Sequence, residues 1–224
     1  MKTLYVRFEN MRRERNEKRF TKYPPEEAIR NLRRYLRGDV MVLCPERDGD
    51  KKGKQAMNFL DLARARYSVR DFRDVPVAEQ DLRRILEAGR IAPTACNKQP
   101  QRIKVIAGEA ELAMVDACTP CRFNAPLVLL VCYDSAACWT RSFDGAPSGE
   151  VDAAIVATHL LLAAQNQGLG GVWVMHFDPE KTAEVFQLPE NIIPVAMLPI
   201  GCPAKNAKPA AQHHQRVELA DILL

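Results

Sequence analysis

The segment Glu150–Gln167 restricts the fold more than any other stretch of this chain. It reads as a helix that is apolar on nearly every face, carrying Ala153, Ile155, Val156, Leu160, Leu161 and Leu162. A surface helix keeps a polar face toward water, so a helix without one has to be covered all round. In a chain of 224 residues a subunit interface is the natural place for it. The segment is not a membrane span. Its richest stretch, Ala153–Ala164, is interrupted by Thr158 and His159 and falls well short of the roughly 20 apolar residues a bilayer requires.

Helices and strands alternate around that segment. Asn58–Arg66 reads as a short helix, and Val77–Ile91 as an amphipathic one with Leu82, Ile85, Leu86 and Gly89 at helical spacing. Arg102–Ala107, Pro126–Tyr133, Val172–Phe177 and Val195–Ile200 read as strands. The second is apolar throughout, which predicts a central position. Asp178-Pro179-Glu180 sets a helix start, with Asp as cap and Pro in the first turn, and that helix runs to about Gln187. Gly201-Cys202-Pro203 turns the chain into a polar tail. This order predicts an α+β fold, a sheet packed with helices.

The charge is divided unevenly. Residues 1–56 hold 16 Lys+Arg against 9 Asp+Glu, whereas 57–224 hold 16 against 19. The formal +4 therefore belongs to a basic arm and linker at 1–56, followed by a mildly acidic body at 57–224. Acids are interspersed with the bases of the arm and no nucleic-acid-binding motif is present, so a nucleic-acid partner is not expected. Within the arm, Pro24-Pro25-Glu26-Glu27 opens a helix with Ile29, Leu32, Tyr35 and Leu36 on one stripe. The sequence MKTLYVRFENMRRERNEKRF has no apolar run of the kind a secretory signal needs. Seven scattered cysteines, an odd number, suit reduced thiols in a cytoplasm better than a disulfide framework.

Many familiar chemistries are excluded. The chain has no G-x-G-x-x-G, P-loop, G-x-S-x-G or H-E-x-x-H. Cys118-Thr-Pro-Cys121 lacks the second pair or the nearby histidines of a zinc site, and His213-His214 lacks further spaced ligands, so no metal is expected. Four segments carry more. Arg66-Tyr67-Ser68-Val69-Arg70-Asp71-Phe72 sets two guanidinium forks and a hydroxyl close together, a donor set suited to phosphate, though also to a solvated turn. Ala92–Pro100 is a proline-bracketed turn region whose Asn97 and Gln99 amides suit the edge of a planar heterocycle, or an ordinary loop. Gly168–Pro179 combines glycines, which let backbone approach a ligand, with a strand whose end offers N–H groups. Pro199-Ile200-Gly201-Cys202-Pro203 ends a strand before a tail with Lys205, Lys208, His214 and Arg216.

In this order the four segments resemble the FMN-dependent nitroreductase family. The matching motifs are R-x-S-x-R-x-F, A-P-T-x-x-N-x-Q-P, G-L-G-x-x-W with F-D-P, and P-V-A-x-L-P-x-G-x-P, and the resemblance covers about 57–224. It implies a mixed sheet flanked by helices, an interlocked homodimer, FMN at the interface and NAD(P)H as electron donor. It further implies that Arg66, Tyr67, Ser68 and Arg70 bind the cofactor, together with Thr94, Cys96, Asn97 and Gln99, some of these from the partner chain. Trp173, Val174, Met175 and His176 would lie by the flavin ring, and Arg216 would meet the phosphate. His214 stands where some members have Lys. Between 110 and 150 the family varies and lines the flavin face. Phe123, Trp139, Arg141 and Phe143 are the substrate-contact candidates there, with core packing the competing role for Phe123 and loop anchoring for Trp139. The implied activity is ping-pong hydride transfer through flavin N5 to a small organic acceptor, a nitroaromatic or quinone in vitro. The flavin carries the chemistry, with no catalytic side chain. The alternatives are a flavin-fragmenting enzyme of the same fold and a non-enzymatic flavin sensor.

Overall fold

Seven successive buried residues, Leu127 to Tyr133, make one strand the spine of the fold in this computed structural model, which describes residues 58–224. The arm at 1–56, with the helix expected after Pro24-Pro25, lies outside the described residues. In chain order the described elements are α1 (Phe59–Ala65), α2 (Glu79–Arg90), β1 (Gln101–Ala107), α3 (Glu109–Cys118), β2 (Leu127–Asp134), α4 (Gly149–Asn166), β3 (Gly170–Gly171), α5 (Pro179–Val185) and β4 (Ile192–Gly201). The four strands pair in the order β1-β2-β4-β3, each pair antiparallel. Among the described residues, a parallel bridge between Ser68 and Gly171 is what makes the sheet mixed. β2 is inner and covered on both faces, which is why it has no polar alternation.

The α+β expectation holds, and most elements fall where local signals put them. Asn58 caps α1 by accepting from the Asp61 N–H, and Asp178 caps α5 by accepting from the Lys181 N–H. Two differences stand out. The strand expected at Val172–Phe177 is not continuous. Val174 exchanges both backbone hydrogen bonds with Met197 of β4 at 2.9 and 3.0 Å, and then the Phe177 N–H turns back onto the Met175 carbonyl. α3 is an added helix whose apolar stripe is weak, burying only Val115 and Cys118.

α4 packs Ala153, Val156, Ala157, Leu160, Leu161 and Ala164 inward. Its Val151 remains 62% exposed, with Ile155 and Leu162 half-buried. The described residues therefore cover part of this apolar helix and leave Val151 exposed.

Cys96, Cys118, Cys121, Cys132 and Cys138 carry free thiols. Burial lifts the Cys132 thiol from 9.0 to about 12. The unfolded thiol ionises near pH 9 and the folded one resists, so its stabilisation is whole below that value and is lost as pH rises toward 12. Urea unfolding between pH ~8 and ~11 is expected to show a fall approaching 2–4 kcal/mol at its roughly full extent, which Cys132→Ala should flatten. An unchanged slope in that variant would remove Cys132 as the cause.

Candidate functional site

Arg66 closes α1, its backbone N–H bonding the Leu62 carbonyl. The chain then runs extended along the sheet. Val69 N–H reaches the Gly171 carbonyl at 3.2 Å, Arg73 N–H reaches Cys202 at 2.9 Å, and Phe72 bridges Pro203. Val69 and Phe72 point into the core, while Ser68 and Arg70 face outward. A Cβ on Gly170 would sit 2.4 Å from Val69 Cγ2, so only glycine lets the two backbones come this close.

This stitching brings residues from opposite ends of the body together. Arg66, Ser68 and Arg70 share a cleft of about 410 Å³ with Ala210, Gln212, His213 and Arg216. Burial, and then the nearby charge of Arg216, push the Arg66 guanidinium below its ordinary value. The first cause is loss of solvent and the second is repulsion between like charges. Among the described residues none of Arg66, Arg70 and Arg216 pairs with a carboxylate, whereas Arg83, Arg102 and Arg122 each do. Arg70 and Arg216 donate only to backbone carbonyls, of Ser68 and of His213 and Gln215. A half-buried cleft that gathers three uncompensated guanidiniums and a hydroxyl is built to take an anion.

The other expected residues lie around this cleft or apart from it. Tyr67 is half-buried, donates to the Ala207 carbonyl at 3.4 Å and stands edge-on to His213. It anchors the tail. His213 lines the cleft and His214 does not. No sequence signal separates the two neighbours; the short helical turn Ala211–His214 decides which one faces inward.

Thr94, Cys96, Asn97 and Gln99 form a separate turn that does not line the cleft. Cys96, Asn97 and Gln99 have φ of 49°, 52° and 49°. Such left-handed backbone costs about 1–2 kcal/mol per non-glycine residue. The turn is held by Asn97 N–H to the Thr94 carbonyl, Gln99 N–H to Thr94 Oγ1, and Ala95 N–H to the buried Asp152 carboxylate. Sequence reading missed Asp152. Its one signal was an acid inside an otherwise apolar helix.

Trp173 is half-buried, Met175 and His176 are exposed and Val174 is buried. The Val174 N–H is engaged with Met197, while the N–H groups of Trp173, Met175 and His176 have no partner among the described residues. Phe123, at φ 56°, packs against both core clusters, the role that competed with substrate contact. Residues 139–148 form a small hairpin closed by the Thr140–Pro147 bridge and by Trp139 accepting from the Ser148 N–H. Arg141 holds Asp144 in a two-bond ion pair that raises the guanidinium and lowers the carboxyl. Phe143 at the tip is 95% exposed.

An antiparallel sheet wrapped by helices, with an arginine cleft sewn to its edge, defines an α+β protein. The profile described as Nitroreductase family matches residues 63–121 and 122–202. The chain belongs to that family. It is 31% identical over 67% of its length, and 80% of the other's, to a Methanothermobacter thermautotrophicus protein provisionally named NADH dehydrogenase/NAD(P)H nitroreductase. An FMN reductase [NAD(P)H] of Bacillus subtilis is 28% identical over 61% of this chain and 62% of its own. A 5,6-dimethylbenzimidazole synthase of Rhodospirillum rubrum is 30% identical over 62% and 78%. Among solved structures, a nitroreductase family protein from Clostridium difficile aligns with TM-score 0.71 and 38% identity, covering 75% of this chain and 98% of that one.

Proposed function

We propose that this chain is an FMN-dependent NAD(P)H oxidoreductase acting as a homodimer on a small organic acceptor. The observation that carries the reading is the arginine cleft, which joins Arg66, Ser68 and Arg70 to Arg216 across most of the body. FMN fits this donor set, because its dianionic phosphate supplies the charge that the guanidiniums lack. Bound FMN would take a hydride from NAD(P)H at N5 and deliver electrons to the acceptor in a second half-reaction, in ping-pong order.

The chain's part is binding, orientation and electrostatics. Arg66 and Arg216 hold the phosphate, with Ser68 and His213 adding hydrogen bonds. Arg70 sets positive charge toward the pyrimidine edge. Thr94, Cys96, Asn97 and Gln99 meet that edge, some of them from the partner subunit. The open N–H groups of Trp173, Met175 and His176 offer donors to the ring. The uncovered face of α4, with Val151, Ile155 and Leu162, is the dimer contact. Among the described residues no helix is long and apolar enough to cross a membrane, and the free thiols suit a reducing cytoplasm.

Purified protein should be yellow, release FMN on denaturation and lose its colour with NADH or NADPH under exclusion of air. A colourless protein that takes up no FMN ends the proposal. Phe143, exposed at the hairpin tip, is the acceptor contact, with Trp139 at the root of the same hairpin. Phe143→Ala should raise KM for a flat quinone by up to about tenfold, since aromatic stacking contributes about 0.5–1.5 kcal/mol. Its thermal unfolding should not move, because the ring touches water. An unchanged KM would exclude the hairpin from the acceptor site.

A second reading is a flavin-fragmenting enzyme of the same fold, in which oxygen consumes the flavin. Stoichiometric loss of reduced FMN in air without added acceptor would favour it. Multiple turnovers of NAD(P)H with intact FMN would favour the reductase.

A further inference from the structure

We infer that Asp152, aligned by Ser148, is a positioning residue that sets the left-handed Thr94–Gln99 turn for flavin recognition. The inference rests on the proposed reading, in which that turn meets the pyrimidine edge. Asp152 lies in the first turn of α4 and is 1% exposed. Its Oδ1 accepts from the Ala95 N–H at 2.8 Å and its Oδ2 accepts from Ser148 Oγ at 2.7 Å. Among the described residues it has no cationic partner, so these two donors and the start of α4 are its compensation.

Ser148 occupies the cap position of α4, where a serine oxygen ordinarily accepts a backbone N–H. Here it makes no such bond and turns its hydroxyl to Asp152 instead. The helix forgoes its side-chain cap and the carboxylate gains an orientation. That exchange makes sense if what matters is the position of Ala95 and of the strained residues after it. Ser148 also terminates the 139–148 hairpin, its N–H bonding the Trp139 carbonyl. One buried carboxylate thus ties the turn to the root of that hairpin.

The test follows amide exchange and flavin affinity in the full chain. Asp152→Ala should speed exchange at Ala95, Asn97, Lys98 and Gln99 by about tenfold or more, the scale of a lost hydrogen bond to a charged group. Asp152→Asn keeps an acceptor for Ala95 and should restore most of the protection. Ser148→Ala, the milder change if Asp152→Ala does not fold, should loosen 95–99 while leaving amides 150–152 unaltered; a capping serine would do the reverse. The clamp acts at the ring and not at the phosphate, so Asp152→Ala should weaken FMN and riboflavin by the same factor. Unchanged exchange at 95–99 in both Ser148→Ala and Asp152→Ala would overturn the clamp. Faster exchange with unchanged riboflavin affinity would overturn the placement of the turn at the flavin, and with it the role of Asp152, while leaving the arginine cleft intact.

Discussion

Arg66→Ala is expected to raise the Kd for FMN about a hundredfold while leaving riboflavin binding at its wild-type value. The number follows from two charge-assisted hydrogen bonds at about 1.5–3 kcal/mol each, less what water recovers at a half-exposed site, leaving about 3 kcal/mol. The contrast with riboflavin isolates the phosphate, because the ring and ribityl chain are common to both ligands. Arg66 is the right first target because its charge is disfavoured by burial and then by Arg216. A phosphate bound there pairs the half-buried charge and offsets its repulsion with Arg216. The Arg216→Ala variant should weaken FMN in the same selective way, and the double variant should lose less than the two singles combined. Removing either guanidinium frees the other from repulsion in the unbound state. Arg66→Lys should recover only part of the loss, since a single ammonium cannot fork across two oxygens. Fluorescence-quenching titrations at one fixed ionic strength measure all of these. Equal losses for FMN and riboflavin in Arg66→Ala would move the phosphate elsewhere.

Gly149→Ala is the second large effect, expected to destabilise the fold by about 2–3 kcal/mol. Gly149 opens α4, and a Cβ there would lie 2.1 Å from Tyr133 Cδ2, 2.2 Å from Cε2 and 2.7 Å from Cγ. These are atoms in the body of a ring, and they cannot swing aside as a chain end can. Tyr133 is fixed between Gln101 of β1 and Ile193 of β4 in the sheet register, so its backbone has no freedom to retreat. Helix propensity argues the other way, favouring alanine by up to about 1 kcal/mol. The packing term is the larger, so thermal unfolding should come at a lower temperature. Gly89→Ala is the control. Its nearest atom is the Leu160 Cδ2 terminus at 2.7 Å, which can rotate, so the cost should be smaller. A Gly149→Ala protein as stable as the parent would mean that Tyr133 can yield.

Much of the fold could be read locally because its causes are local. Asn58 and Asp178 cap the helices they precede through their own side chains, and the apolar run at 127–133 can only be an inner strand. α3 was harder. Gly108, at φ 86°, and the acids Glu109 and Glu111 mark its start, yet its apolar residues trace no clear stripe. The break after Val174 could not be read at all. Val172–Phe177 has strand composition throughout, and what stops it is that β4 supplies a partner for Val174 and the chain then turns back on itself at Phe177.

The same division runs through the site. The chemical types were legible, because a phosphate calls for guanidiniums and hydroxyls and the chain carries them at Arg66, Ser68, Arg70 and Arg216. Their meeting was not legible, since nothing in either segment records how near the other will come. That nearness comes from the edge of the sheet, where Ser68 lies along Gly171 and Phe72 along Pro203. Whether His213 or His214 enters the cleft, and that Asp152 of α4 would hold the Ala95 N–H, were likewise decided in three dimensions. Sequence by itself determined the helices and strands whose caps, turns and apolar periods lie within a few residues, and it determined which groups were available for an anion. Tertiary structure alone decided which of those groups stand together, because distances between remote residues are set by packing and register, and these are properties of the assembled sheet.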